Sequence, residues 1–157
     1  MNKKEDSVTK LAEEIALKLK PYCSRIKIAG SIRRHSKHPG DIDIVLIPKD
    51  SNKDKLEGFM DKLGKRVQGG EHESTWKVKR VKIELYYTTK EEFGAELLAY
   101  SSKKGSGIGL RMIAKRKGLK LTQYGLFSRV TGKKIAGKSE KEIYEKLGKK
   151  WKPADKR

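Results

Sequence analysis

Hydrophobic positions recur along this chain with two different periods. Val8, Leu11, Ala12, Ile15, Ala16 and Leu19 repeat at steps of three and four, which places them on one helical face. Asp6 or Ser7 is positioned to cap that helix and Pro21 to end it. Ile26 and Ile28 then alternate with Arg25 and Lys27, a half-buried strand running into Gly30. Alternation returns from Asp41 to Ile47, with Ile42, Ile44 and Leu46 on one side. Leu56, Phe59, Met60 and Leu63 predict a helix ending near Gly64. Thr75 to Tyr87 reads as one long strand, paired as a hairpin with the segment before Gly69 and Gly70.

The second half has another character. Phe93 to Tyr100 predicts a helix, and Ile108 to Lys117 a basic helix closed by Gly118. Leu119 to Thr122 and Leu126 to Ser128 read as short strands around Tyr124 and Gly125. Ser139 and Glu142 form a capping box that opens a last helix through Leu147. Strands and helices mix without strict alternation, so the expected class is α+β. The change of character near Glu91 suggests two lobes, residues 1–90 and 91–157.

Charge changes this picture most. Thirty-nine Lys and Arg against twenty Asp and Glu leave a net charge of +19 over 157 residues. Nucleic acid is the partner such a surface favours, ahead of an anionic membrane. A Lys-rich surface kept for solubility or heat resistance is the plainer explanation, but it does not call for so large an excess of one sign. The amino terminus has no apolar signal core, and no stretch approaches a membrane span. An intracellular monomer, cytoplasmic or associated with the nucleoid, is therefore expected. Cys23 is the single cysteine, which excludes an intramolecular disulfide and a cysteine-cluster zinc site. His35, His38 and His72 show no metal-ligand spacing.

Two short motifs carry candidate chemistry. Gly30-Ser31-Ile32-Arg33-Arg34 follows a strand, and Asp41-Ile42-Asp43 opens the next one behind Pro39 and Gly40. Residues two apart on a strand point the same way, about 6.5–7 Å apart at Cα. Asp41 and Asp43 therefore project together and can share divalent cations, while Ile42 and Ile44 face the core. Magnesium takes a few carboxylates and fills its remaining positions with phosphate oxygens and water. Gly30 allows a sharp turn close to a phosphate, Ser31 adds a hydroxyl and an N–H, and Arg33 and Arg34 supply planar donors. Either motif alone is common in ordinary turns and strand edges. Together on a basic chain they are much more specific, and a triphosphate bound at the turn would lie beside metals on Asp41 and Asp43.

These residues resemble the nucleotidyltransferase signature of the family X DNA polymerases, the DNA polymerase β group. The resemblance covers nearly the whole chain. Phe93-Gly94-Ala95 and Tyr100-Ser101-Ser102 resemble the family's helix and its Tyr-Phe-Thr-Gly-Ser turn. Ile108 to Gly118, Leu119 to Phe127, and Ser139 to Pro153 resemble its carboxy-terminal subdomain. The resemblance implies a palm lobe on a mixed β-sheet with helices on one face, then a small α/β nucleotide-selecting subdomain, as in the shortest viral members. It implies a DNA polymerase dependent on Mg2+, with Mn2+ as a substitute, that fills short gaps or performs repair synthesis.

By the same resemblance, Asp41, Asp43 and Glu84 are the catalytic metal ligands. Glu84 stands where the family has a third Asp, on Val81 to Tyr86. Gly30, Ser31, Arg34, Gly40 and Tyr100 would bind the nucleotide. Lys82 would approach the primer phosphate and Arg111 the template strand; Lys115 and Arg116, on the same basic helix, are either DNA-phosphate contacts or a solvated face. His35 replaces a frequent Gly, Ser102 replaces the turn Gly, and Ala99 leaves one aromatic position without a ring. Two other functions stay open on the sequence. One is an untemplated transferase acting on RNA ends or a small molecule. The other is a basic nucleic-acid-binding module whose site has decayed at Glu84 and Ser102.

Overall fold

The computed structural model describes residues 3–50 and 52–157. The chain divides into two compact units, the first ending at Thr88 and the second beginning at Thr89.

The first unit is an α+β assembly built on a five-stranded mixed sheet. Its strands are β1 (Cys23–Ile28), β2 (Ile42–Pro48), β3 (Lys65–Gln68), β4 (Glu73–Val78) and β5 (Val81–Tyr87), in the spatial order β1-β2-β5-β4-β3. Neighbours run antiparallel except β2 and β5, which are parallel. Helices α1 (Lys3–Leu19) and α3 (Lys53–Leu63) cover one face. Val8, Leu11, Ala12, Ile15 and Leu19 of α1 join Leu56 and Met60 of α3 over Ile42, Ile44, Leu46, Ile83 and Leu85. Burial of each large aliphatic side chain contributes about 1.5–3 kcal/mol. Trp76 is fully buried in that layer, and its Nε1 donates to Ser74 Oγ at 2.8 Å. Its role is packing, with its one polar atom satisfied.

Two expectations for this unit need correction. Helix α1 includes Lys3, so Ser7 lies inside it rather than at its N-cap; the side chain of Asp6 is outside the described residues. The long strand expected from Thr75 to Tyr87 is two strands, β4 and β5, joined at Lys79 and Arg80. Those two residues have φ of 50° and 68°. A two-residue hairpin turn demands such angles and normally advertises itself with Asn-Gly or Gly-Gly. Lys-Arg gives no such signal, and the uninterrupted alternation hid the bend.

The second unit contains α4 (Phe93–Ser101), α5 (Lys104–Arg116), α6 (Glu140–Lys146) and an antiparallel sheet. The sheet has the order β6 (Leu119–Thr122), β7 (Gly125–Ser128), β8 (Lys134–Ala136). Leu98, Leu110, Ala114, Leu126, Ile143 and Leu147 form its core. Gly94 lets α4 lie against the start of α6, because a Cβ there would overlap the Ser139 backbone. Ser139 caps α6, its Oγ accepting from the Glu142 N–H at 3.1 Å. Strand β8 is too short and polar to show a pattern in the sequence. Helix α5 begins four residues before the expected Ile108, taking in Gly105 and Gly107 despite their low helix propensity. Among the described residues no helix is long and apolar enough to cross a membrane.

Cys23 opens β1 and is 5% exposed, and burial pushes its thiol pKa up to about 11. At pH 8 the folded protein should therefore resist a disulfide reagent such as DTNB, because the reactive form is the thiolate. One thiol should titrate promptly once guanidinium unfolds the chain. Fast, stoichiometric reaction of the native protein would contradict this packing.

Candidate active site

The first unit's sheet has a second face, away from the apolar layer, and the candidate carboxylates lie on it. Parallel pairing of β2 with β5 sets Ile42 beside Ile83, Asp43 beside Glu84, and Ile44 beside Leu85. Ile42, Ile44, Ile83 and Leu85 are fully buried on the helix side. Strand alternation then sends Asp43 and Glu84 to the opposite side as direct neighbours. Asp41 precedes β2 by one residue and is exposed. Its charge reaches Asp43.

One hydroxyl ties the two strands' acids together. Tyr86 follows Glu84 by two positions on β5, so it shares the same face. Its hydroxyl donates to Asp43 Oδ1 at 3.1 Å and makes a short hydrogen bond with Glu84 Oε2. Lys82 lies on Glu84's other side and pairs with Glu84 Oε1 at 2.8 Å. Tyr86 itself is 4% exposed. Sequence reasoning missed this residue, although its spacing of two from Glu84 was a usable signal.

Electrostatics follow from this crowding. Burial raises the pKa of Asp43, and the charges of Glu84 and Asp41 raise it further; the Tyr86 hydrogen bond and Arg34 oppose them. For Glu84, burial also pushes upward, but hydrogen bonds from Lys82 and Tyr86 and the Lys82 charge outweigh it and leave the pKa lowered. Burial and the two carboxylates hold the Tyr86 phenol far above its ordinary value, so it remains a donor. Lys82 is raised by its hydrogen bond to Glu84 and remains charged.

The Gly30 turn closes over Asp43. Residues 30–33 form a single helical turn, α2, and Gly30 has φ of 63°. A Cβ at Gly30 would overlap Asp43 Oδ2, so glycine is required both by backbone angle and by space. The Ala29 N–H donates to the Asp43 carbonyl at 2.7 Å, which pins the turn to β2. The Arg34 N–H donates to the Gly30 carbonyl at 3.2 Å and ends the turn. Ser31 and Arg34 are half-buried on it. His35, where a glycine is frequent in the resembling family, takes φ of 54°, the left-handed conformation that glycine would adopt freely. Gly40 is exposed, with open space where a Cβ would go.

The structure thus brings Gly30, Ser31, Arg34, Asp41, Asp43, Lys82 and Glu84 to one end of the β2–β5 pair. The remaining candidates belong to the second unit. Tyr100 is half-buried on α4, and Arg111, Lys115 and Arg116 are exposed on α5. Arg111 lines a cavity of about 340 Å³ together with Leu98, Ala99, Leu110, Lys120 and Leu121.

The donor set around Asp43 suits a hard divalent cation: carboxylate oxygens, with Asp43's proton affinity raised first by burial and then by the charges of Glu84 and Asp41. Among the described residues no three acidic, His or Cys side chains already converge as a ligand cage. Glu84 is engaged with Lys82 and Tyr86. That arrangement is compatible with magnesium, which is commonly held by one or two carboxylates and completed by substrate phosphates and water.

Known proteins carry the same organisation. Residues 1–81 match the family model described as the DNA polymerase beta palm, and residues 96–157 match the DNA polymerase beta thumb. Among curated relatives, the "Repair DNA polymerase X" of African swine fever virus strain Badajoz 1971 is 27% identical over 142 residues, spanning 83% of this chain and 79% of the relative. The protein of the same name from the Pretoriuskop isolate is 28% identical over the same spans. That of the Kenya isolate is 26% identical. Dependence on a divalent metal is a property of this family. With a palm match over more than half its length and a thumb match following in the same order, this chain belongs to the DNA polymerase β family of nucleotidyltransferases.

Proposed function

We propose that this protein is a template-directed DNA repair polymerase that adds deoxynucleotides to a primer 3′ end at short gaps, using Mg2+ held by Asp41, Asp43 and Glu84. The observation that carries this reading is the direct pairing of Asp43 with Glu84 across the parallel β2–β5 ladder, beneath the Gly30 turn. In this reading residues 1–90 are the catalytic palm, and residues 91–157 select the nucleotide and hold DNA. The name shared by the viral relatives, and the +19 charge, support DNA as the acceptor.

Each residue then has a task its surroundings permit. Asp41 and Asp43 would hold the metal. When bound, the metal supplies a Lewis acid that stabilises charge on the attacking and leaving oxygens. Glu84 prepares the primer 3′ hydroxyl and, being lowered in pKa, is ionised and able to take part as a carboxylate. Ser31, Gly30, Gly40 and Arg34 receive the triphosphate, with Arg34 countering charge beside Asp43. Lys82 reaches the primer phosphate after leaving Glu84. On the second unit, Tyr100 is the candidate for contact with a nucleotide sugar, and Arg111, Lys115 and Arg116 are the candidates for the DNA backbone. Glu84 falls between the two matched stretches, so its role rests on strand register alone.

Primer extension on a gapped duplex tests the proposal. The parent should add the templated nucleotide and should stop when EDTA removes the metal. Asp41→Asn and Asp43→Asn should each lower the rate by orders of magnitude while circular dichroism and DNA affinity stay near the parent's. Activity close to parental in either variant, or addition that ignores the template, would sink the assignment.

Tyr86→Phe tests the hydroxyl that joins Asp43 to Glu84. Without it, two carboxylates face each other with one shared donor gone, a loss of about 1–3 kcal/mol for a buried bond to a charged group. Thermal unfolding in EDTA should occur at a lower temperature than in the parent, and added Mg2+ should raise the variant's Tm by more than the parent's. Equal Tm values in EDTA would mean that the hydroxyl does not hold the acids.

A further inference from the structure

The sheet face that carries the carboxylates continues past them, across β4 and β3, as a line of cations. On β4, Ser74, Trp76 and Val78 are buried toward the helices, so Lys77 projects on the carboxylate side. Antiparallel register sets Lys77 directly beside Lys82 of β5 and, on its other flank, beside Lys65 of β3. Lys82, Lys77 and Lys65 therefore form one row across three adjacent strands, starting two residues from Glu84 and ending at the sheet's edge. All three are exposed. The row spans roughly 10 Å, two strand spacings of about 4.8 Å.

Such a row is unfavourable by itself, because like charges directly opposite on paired strands repel. Lys82 is partly offset by Glu84 Oε1 at 2.8 Å. Lys77 and Lys65 have no ion-pair partner among the described residues. The neighbouring row runs from Glu84 to Thr75 and Gln68, adding a hydroxyl and an amide but no further acid. The β4–β5 turn adds to the imbalance. Lys79 and Arg80 hold φ of 50° and 68°, angles that Asn-Gly would adopt with less strain. The charge of Lys79 acts on Glu14 of α1, whereas Arg80 has no ion-pair partner among the described residues. Strained backbone of this kind persists where the residues serve another purpose.

We infer that Lys82, Lys77 and Lys65, with Arg80 two residues from Lys82, form a track for the sugar–phosphate backbone of one DNA strand leading away from the carboxylates. At a rise of about 3.4 Å per nucleotide along one strand, the row faces about three consecutive phosphates. Contacts of this type position a strand without reading its bases. The affinity for a polyanionic backbone does not depend on the polymerase reading. The identity of the strand does: with its 3′ end at Glu84 it is the primer, held upstream of the reacting end.

Fluorescence anisotropy on the full chain tests the track without turnover, using a duplex with a recessed 3′ end and no metal or nucleotide. Lys65→Gln/Lys77→Gln should weaken binding roughly fivefold or more at low salt. It should also flatten the slope of log K against log salt by about two, since each phosphate contact contributes about 0.9. Relief of repulsion should leave its Tm no lower than the parent's. Lys55→Gln/Lys62→Gln removes the same charge from exposed positions on α3, on the opposite face, and should leave the slope near the parent's. Lys79→Asn/Arg80→Gly should raise Tm yet weaken DNA binding, a combination that a purely structural turn would not give. Uncharged methylphosphonate linkages next to the primer 3′ end identify the strand. They should weaken binding by the parent, and much less by Lys65→Gln/Lys77→Gln, while the same linkages in the template should weaken both alike. Equal flattening of the slope by the α3 pair would assign the effect to the overall charge and overturn the proposal. Parental DNA affinity in either track variant, or coupling to template linkages instead, would also overturn it. A parent that extends no primer but gives these binding results would overturn the polymerase reading and leave the track standing.

Discussion

The parallel ladder between β2 and β5 is the constraint on which the proposed site depends. It is the one parallel pair in a sheet whose other neighbours are antiparallel. Its register is set by apolar burial: Ile42, Ile44, Ile83 and Leu85 are all fully buried under α1 and α3. A shift of either strand by one residue would exchange its apolar and acidic faces, moving several buried side chains into water. The same hydrophobic energy that closes the core therefore fixes Asp43 beside Glu84. The site's geometry is a by-product of packing on the far side of the sheet.

Placing two carboxylates side by side is electrostatically unfavourable, and the local contacts read as the answer to that. The single proton of the Tyr86 hydroxyl lies between both acids, and Lys82 takes the other oxygen of Glu84. Asp43 keeps a raised pKa, chiefly through burial and further through the charges of Glu84 and Asp41, so a nearby divalent cation would stabilise its ionised form. Gly30 adds the remaining constraint, since its turn covers Asp43 at a distance that no side chain would tolerate. Core packing, hydrogen bonding and turn chemistry thus agree on one small region. Agreement across levels of this kind is what makes a sequence specify a site.

Much of this was legible in the sequence because it depends on local periodicity. The alternation in Asp41 to Ile47 predicted that Ile42, Ile44 and Leu46 are buried, although Val45 on the other face is buried as well, and the alternation around Glu84 predicted that Ile83 and Leu85 face inward. Ser139 capped its helix as its spacing with Glu142 suggested. What stayed hidden depends on partners distant in the chain or on unconventional backbone. Asp43 and Glu84 are neighbours only through a parallel pairing that no short-range pattern encodes. The Lys79–Arg80 turn lacks turn residues, and Tyr86 looked like one more aromatic on a strand. Lys65, Lys77 and Lys82 become neighbours only when β3, β4 and β5 pair.

The central claim is that β2 and β5 jointly build a divalent-cation site whose third carboxylate is Glu84. Titration of the full chain with Mn2+, followed by the free-ion EPR signal in the presence of a non-hydrolysable deoxynucleoside triphosphate, addresses it without relying on turnover. The account predicts saturable binding that Glu84→Gln weakens by roughly tenfold or more, the scale seen for losing groups that support a metal site, and that Glu84→Asp largely retains. Identical Mn2+ binding by the parent and Glu84→Gln would contradict it, leaving Glu84 as a surface carboxylate paired with Lys82.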